Sequence, residues 1–353
     1  MNGSRFGLTD RLLVAGPCAA ESREQLRAVA SSLRDVSADW FRAGVWKPRT
    51  RPSSFEGVGE KGLEWLAEIR KEFGLRVCTE VASPYHVEQC LAHGLDALWI
   101  GARTTTNPFS VQDIADALRG VDIPLFVKNP LNPDLKLWIG AIERLSASCS
   151  EVHAVHRGFS LVDNGIYRQT PLWQLPVELK RLMPGLKILC DPSHIAGRRD
   201  LVFPLAQKAM RLGFDGLMIE VHDNPDAART DAMQQLDISS FKRLLKDLEV
   251  SNTDEDKDDL SLEELRGRID DIDLQLLSLL GKRMKLSEKV AEIKRENNMS
   301  IFRLKRWDVL LTDRMERAER LKLNREFVKD LFELIHEQSM EVQDRFIGGM
   351  EKN

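Results

Sequence analysis

No apolar run in the 353-residue chain approaches the roughly 20 residues that cross a bilayer, and the amino terminus lacks the basic-then-apolar layout of a secretory leader. The five cysteines (Cys18, Cys78, Cys90, Cys149 and Cys190) are odd in number and include no CxxC pair, which argues against a disulfide framework and against a structural zinc site. Charge of one sign is not in excess either: 51 basic residues face 55 acidic ones, and a net charge of -4 gives no sign of a nucleic-acid partner. No internal repeat is present. These absences lead to the expectation of a soluble cytoplasmic protein with neither membrane nor nucleic acid as a partner.

What is present is an alternation. Strand-like runs occur at LLVAG (12–16), WFRAGVW (40–46), RVCTEV (76–81), ALWIGA (97–102), PLFVK (124–128), EVHAVHRG (151–158), KILCDPSH (187–194) and LMIEVH (217–222). Between them, segments such as 24–33, 62–73 and 111–118 carry apolar residues at helical spacing. Eight strands alternating with helices in about 220 residues fit a (β/α)8 barrel over residues 1–246, although a doubly wound open sheet allows the same number. Strand one starts near residue 12, so no lid or regulatory domain is expected before the barrel. Residues 247–260 are acidic and polar and read as a flexible linker. From 261 to 353 only helical patterns follow, beginning with a capping box of Ser261 and Glu264. Three helices are expected: one to about Asn297, one over about 304–321 and one over about 325–346. The first is too long for the other two to cover, so this small all-α domain is expected to form a homodimer.

In a barrel of this kind the carboxyl ends of the strands form the active face. Strand one ends near Cys18. The second carries Arg42 and runs into Lys47-Pro48-Arg49-Thr50. Glu80 closes the third, Arg103 the fourth, Lys128 the fifth and His156-Arg157 the sixth. Asp191 and His194 follow the seventh, and Glu220 and His222 the eighth, with Asp231 in the loop beyond. A thiolate, an imidazole and two carboxylates (Cys18, His194, Glu220 and Asp231) suit a divalent transition metal such as Mn, Fe, Co or Zn. Arg42, Lys47, Arg49, Arg103, Lys128 and Arg157 make a cationic mouth able to hold more than one anionic group.

The runs AGPCAAES, KPRTRPSSFEG, IGAR, CDPSHIAGRRDLV and IEVHDNPDAARTDAMQQL resemble the motifs of 3-deoxy-D-arabino-heptulosonate 7-phosphate (DAHP) synthases, in order and over nearly all of residues 10–246. The resemblance implies a barrel that condenses phosphoenolpyruvate with erythrose 4-phosphate. It implies Cys18, His194, Glu220 and Asp231 as metal ligands, and Arg42, Lys47, Arg103, Lys128 and Arg157 as phosphoenolpyruvate contacts. Lys47, Pro48, Arg49, Thr50 and Asp191 would form the erythrose 4-phosphate site, and Lys47, Lys128 and His194 are the expected catalytic groups. Arg51 and VKNP (127–130) depart from the family's usual residues. A related synthase that uses arabinose 5-phosphate is a rival reading, against which KPRT speaks.

On the first helix of the second domain, Arg283 and Lys294 fall within the stripe of Ile269, Ile272, Leu276, Leu279, Leu280 and Val290. Cations on an apolar stripe are expensive unless an anion meets them. ELRGRIDDIDLQLLSLLGKRMKLSEKVAEIK and LIHEQSMEVQ resemble the first and last helices of the all-helical chorismate mutases, over about 263–344. That resemblance implies conversion of chorismate to prephenate at a site of Arg283, Lys294, Arg306, Ser339 and Gln343, completed by Arg266 from a second copy. Lys294 and Gln343 would stabilise charge on the breaking ether. Trp307 stands where many members have Glu, and Arg303 replaces an acidic position. Feedback inhibition of the barrel by prephenate or chorismate is expected; the alternative is a helical domain that only senses such a ligand.

Overall fold

Eight parallel strands close into a barrel in a computed structural model that describes residues 8, 11–36, 38–48, 54–250 and 260–349, with side chains from 265 to 348 in the last stretch. The strands are β1 (Leu12–Gly16), β2 (Trp40–Arg42), β3 (Val77–Val81), β4 (Ala97–Ile100), β5 (Leu125–Lys128), β6 (Val152–His156), β7 (Lys187–Cys190) and β8 (Gly216–Glu220). They follow one another around the barrel in chain order. β1 closes it against β8, from Leu12 opposite Gly216 to Gly16 opposite Glu220, so the open-sheet alternative is excluded.

The strands are apolar because they are covered on both faces. Outside, helices bury one stripe each. The helix Arg23–Leu33 begins where the Ser22 hydroxyl accepts from the Gln25 N–H, and it buries Leu26, Val29, Ala30 and Leu33 at helical spacing. Inside, Val14, Trp40, Cys78, Trp99, Phe126, Val155, Leu189 and Met218 fill the barrel, with Trp40 edge-on to Phe126 at 5.1 Å. A filled interior confines chemistry to the rim. At the end of β1, Gly16 has φ +146°, and a Cβ there would stand 2.2 Å from the Arg42 carbonyl oxygen. Only glycine lets β1 and β2 approach this closely just before Cys18.

Several expected boundaries move. β2 stops at Arg42 instead of running to Trp46, and β7 stops at Cys190. Pro192 cannot donate to a ladder, and the Asp191 side chain accepts the His194 N–H, so the chain turns into the short helix Pro192–Ala196. His194 therefore projects from a helix rather than a strand end, as does Arg103 on Ala102–Thr105.

The described chain falls into two compact units, Met1–Thr253 and Asp254–Asn353. Asp247, expected to open the linker, is the last residue of the helix Ile238–Asp247. Residues 251–259, Arg49, Thr50 and Arg51, and the side chains of Ser261 and Glu264 lie outside the described residues. The second unit consists of the helices Leu260–Glu296, Leu304–Arg320 and Arg325–Gly349. Its buried cluster is small: Met315, Ala318 and Val328, with Leu311 and Phe332 against them. Along the first helix Ile269, Ile272, Leu276, Leu279, Leu286, Val290 and Ile293 are each at least 44% exposed, an apolar length that the unit itself leaves uncovered.

Candidate active sites

At the carboxyl rim of the barrel lies a cavity of about 260 Å³, with Lys47, Arg103, Lys128, Arg157 and Arg168 on its wall beside Pro48, Glu80, His194 and Asp231. Beneath it the ends of β1 and β8 bring together Cys18 and Glu220, and Asp231 reaches in from the loop after β8. One ligand atom from each of these three lies within 4.8 Å of the others. Cys18 Sγ is 3.1 Å from Asp231 Oδ2 and receives Lys47 Nζ at 3.1 Å; the same ammonium donates to the Cys18 carbonyl at 2.9 Å. His194 completes the set less closely, its Nε2 3.7 Å from Glu220 Oε1.

These groups have partners that fix their orientation. Arg168 Nη1 donates to Asp231 Oδ1 at 2.8 Å and to Gln234 Oε1 at 2.6 Å. Gln234 Nε2 donates in turn to Glu220 Oε2 at 2.6 Å, and the Cys18 N–H donates to Gln235 Oε1 at 2.9 Å. His194 Nδ1 lies 2.8 Å from Asp191 Oδ2, close enough to pair as charges although not aligned as a hydrogen bond. Burial, reinforced by the Glu220 and Asp231 carboxylates, pushes the Cys18 thiol far above its usual range. Asp231 is half-buried, and burial alone would raise it, yet His194 and Arg168 hold it well below the usual carboxylate range. A buried thiol beside two carboxylates and an imidazole offers the sulfur, oxygen and nitrogen donors that fit a divalent transition metal. Asp191 and the Gln234–Arg168 pair stand behind His194, Asp231 and Glu220, where outer groups would aim metal ligands.

Among the cations of the wall, Arg157 has an unsatisfied group. Arg157 Nη1 is buried without a partner, and burial lowers its pKa to about 10. Lys128 is lowered by burial too, although it donates to Asp191 at 2.8 Å. Two residues occupy places other than those expected. Arg42 is not on the cavity wall: it lies 1% exposed below it, bonded to Glu220 at 3.1 Å and over the Trp99 ring, with Nε and Nη1 unpaired. Asp191 has no exposed surface and bridges Lys128 and His194. His156 turns away from the rim into a box of Phe159, Trp173 and Phe214, where burial lowers its pKa to about 3. Sequence reasoning missed Arg168, which sits in the irregular stretch between β6 and the helix Gln174–Leu182 and therefore has no periodicity to mark it. The length of that loop at the carboxyl rim was the available signal.

In the helical unit, a second cavity of about 320 Å³ is walled by Lys294, Arg303, Arg306, Trp307, His336 and Gln343, with Val290, Ile301 and Leu310 as its apolar lining. No carboxylate is among them. Lys294 Nζ donates to Gln343 Oε1 at 2.9 Å and to the Ile301 carbonyl; Arg283 donates to Ser339 Oγ and, at 3.2 Å, to the Ile335 carbonyl. Arg283 and Ser339 thus stand bonded to each other, off the cavity wall. Burial lowers the pKa of both cations, helped by Arg314 at Arg283 and by Arg303 at Lys294. Arg266 is exposed on the same helix as Lys294 and, at 1.5 Å per residue, about 42 Å from it. It cannot reach this cavity from its own chain. His336 was also missed, although its spacing of three and seven residues from Ser339 and Gln343 puts it on their helix face.

Comparison with known proteins separates the same two parts. Residues 2–254 match the model of the DAHP synthetase I family, and residues 265–344 match that of type II chorismate mutases. The phospho-2-dehydro-3-deoxyheptonate aldolase of Thermotoga maritima is 33% identical over 67% of this chain and 68% of its own. The 2-dehydro-3-deoxyphosphooctonate aldolase of Wolinella succinogenes is 28% identical over 67% of this chain and 97% of its own. Among solved structures, DAHP synthase from Thermotoga maritima superposes with a TM-score of 0.61 at 32% identity, covering 67% of this chain and 68% of that one.

Proposed function

The chain belongs to the DAHP synthetase I family and carries a type II chorismate mutase region later in its sequence, and from that premise we propose how its residues divide two reactions. The barrel condenses phosphoenolpyruvate with erythrose 4-phosphate, the first step of the shikimate pathway. The helical region converts chorismate to prephenate.

In the barrel, Arg103, Lys128 and Arg157 take the phosphate and carboxylate of phosphoenolpyruvate, each as a charge-assisted contact. Arg42 acts from below, orienting Glu220. Lys47 and Pro48, with Arg49 and Thr50, take the sugar phosphate. A divalent ion (Mn, Co, Fe or Zn) held by Cys18, His194, Glu220 and Asp231 would supply a Lewis acid to the sugar's aldehyde. Lys47, protonated and fixed by the Cys18 carbonyl, is placed to give a proton from Nζ to the oxygen of the new alcohol. The observation that supports this reading is a cavity walled by Lys47, Arg103, Lys128 and Arg157 whose floor, through Asp231, adjoins the cluster of Cys18, Glu220 and Asp231. Chelation should abolish condensation and Mn(II) or Co(II) should restore it, whereas Cys18→Ala should lose at least a hundredfold in activity and bind metal in less than equimolar amount. A Cys18→Ala chain that is fully active and still chelator-sensitive would show the ligand set to be wrong. Supplying arabinose 5-phosphate in place of erythrose 4-phosphate tests the sugar.

In the helical unit, the absence of any carboxylate from a cavity walled by cations is what supports a dicarboxylate ligand. The reaction is unimolecular and needs no nucleophile, so holding the compact conformer and stabilising the ether oxygen suffice. Lys294 and Gln343 serve the oxygen and Arg306 holds an acid group from the wall, while Arg283 and Ser339 take the other once they part from each other. Arg266 serves the site of a second copy, in a homodimer built on the exposed stripe of the helix Leu260–Glu296. A charge-assisted hydrogen bond is worth about 1.5–3 kcal/mol, so Arg283→Ala or Lys294→Ala should reduce mutase kcat/KM at least tenfold while condensation without effector persists. Unchanged mutase kinetics in both variants would remove the site.

A further inference from the structure

Chorismate carries a ring hydroxyl besides its two carboxylates and ether oxygen, and the cations that hold the acid groups cannot accept a proton from it. The second cavity has no carboxylate to do so either: Trp307 stands on the wall, and an indole N–H only donates. Trp307 does something else. Its ring stacks on that of His336, with centroids 4.2 Å apart and an angle of 16°, and so holds the imidazole in one plane against the cavity; Phe302 flanks the same ring at 6.0 Å. His336 Nε2 is buried and has no hydrogen-bond partner. A buried ring nitrogen left unpaired is unfavourable in the free protein, and it is satisfied at once by a ligand that brings a hydroxyl.

We propose that His336 binds the ring hydroxyl of chorismate through Nε2 and that Trp307 is its positioning residue. This rests on the mutase reading of the same cavity. Burial, with Arg283 and Lys294 nearby, holds the imidazole below its usual pKa, and the other charged groups of the wall, Arg303 and Arg306, are also cationic. The ring is therefore neutral at neutral pH. A hydroxyl both donates and accepts, so it pairs with either neutral tautomer. An anionic residue at this place would instead have been neutralised by Lys294, Arg303 and Arg306 of the wall; a neutral ring leaves them to the substrate's carboxylates.

The full-length chain is assayed with chorismate and with the analogue in which hydrogen replaces the ring hydroxyl. His336→Phe keeps an aromatic ring for Trp307 to stack on and removes both nitrogens. It should lose about tenfold in kcat/KM on chorismate and nothing on the analogue, because a site built to pair a hydroxyl discriminates only when the hydroxyl is there. His336→Gln, which restores a donor and an acceptor, should recover part of the loss. Condensation activity and circular dichroism report that each variant is folded. Equal losses on both substrates would assign His336 a packing role and overturn the proposal, as would a His336→Phe chain with wild-type efficiency on chorismate. A wild-type chain that turns over neither substrate fails the mutase reading itself, a result distinguishable from both.

Discussion

At the scale of single residues, the barrel site depends on groups that never need to touch a substrate. Asp231 has a positive φ of 50° and comes from a loop, so its carboxylate needs external fixing. Arg168 provides it, donating to Asp231 and to the Gln234 that holds Glu220. Outer partners of this kind change metal affinity by about 10–100-fold when removed. Arg168→Ala should therefore raise the metal concentration for half-maximal condensation by that factor, while saturating metal restores much of kcat. Titration calorimetry of metal into the apo-protein gives the same number without any assay. A variant with wild-type metal affinity would reduce Arg168 to a wall residue. Such a role is invisible in sequence, because nothing about an arginine in an irregular loop says which carboxylate it will meet.

At the scale of elements, β6 shows how alternation sorts neighbours. Arg157 follows the strand into the cavity, whereas His156 points outward into the aromatic box under the helix Gln174–Leu182. There the folded protein keeps the imidazole neutral down to about pH 3, while the unfolded chain takes up a proton below about 6.5. Its contribution to stability is thus fully present above pH 6.5 and is lost as pH falls towards 3, at up to about 1.4 kcal/mol per pH unit. Urea unfolding at pH 7 and pH 5 should show the stability of His156→Phe falling about 2 kcal/mol less than that of the wild type. An identical fall in both chains would mean that the ring is protonated or solvated in the native state. Reading the strands from sequence worked because all eight are buried on both faces, which makes them short continuous apolar runs such as LLVAG and ALWI. It failed at their ends, where Arg42, Asp191 and Arg103 follow apolar residues yet belong to a buried ion pair, a helix cap and a short helix. The residue types that bind anions are also the types that make ion pairs, and only the folded chain tells them apart. Arg42 and Asp191, expected as substrate contacts, are both buried in ion pairs beneath the cavity.

At the scale of the whole molecule, the helix Leu260–Glu296 is about 55 Å long at 1.5 Å per residue, while the buried apolar cluster of its unit is small and comes from the other two helices. Its exposed Ile272, Leu276 and Leu279 are proposed to pack on a second copy, so Ile272→Asp with Leu276→Asp should give a monomer in sedimentation experiments and abolish mutase activity by removing the neighbour's Arg266. The same cavity bears on why two enzymes share a chain. Prephenate is the product of the helical unit and lies downstream of the barrel's product, and it keeps the two carboxylates that Arg283 and Arg306 are proposed to hold. A pathway's first enzyme with such a pocket attached has the means to sense its own output. The proposal is that prephenate bound in the helical unit inhibits condensation, which requires a coupling free energy of about 1–3 kcal/mol, or a roughly 5–150-fold change in apparent affinity. Because coupling is reciprocal, phosphoenolpyruvate and metal should weaken prephenate binding by the same factor. Condensation by the full chain should fall as prephenate is titrated in. Arg283→Ala should shift the inhibition curve at least tenfold to higher prephenate without altering the uninhibited rate. A condensation rate indifferent to saturating prephenate, alongside calorimetric evidence that prephenate is bound, would leave two independent catalysts joined only by a linker.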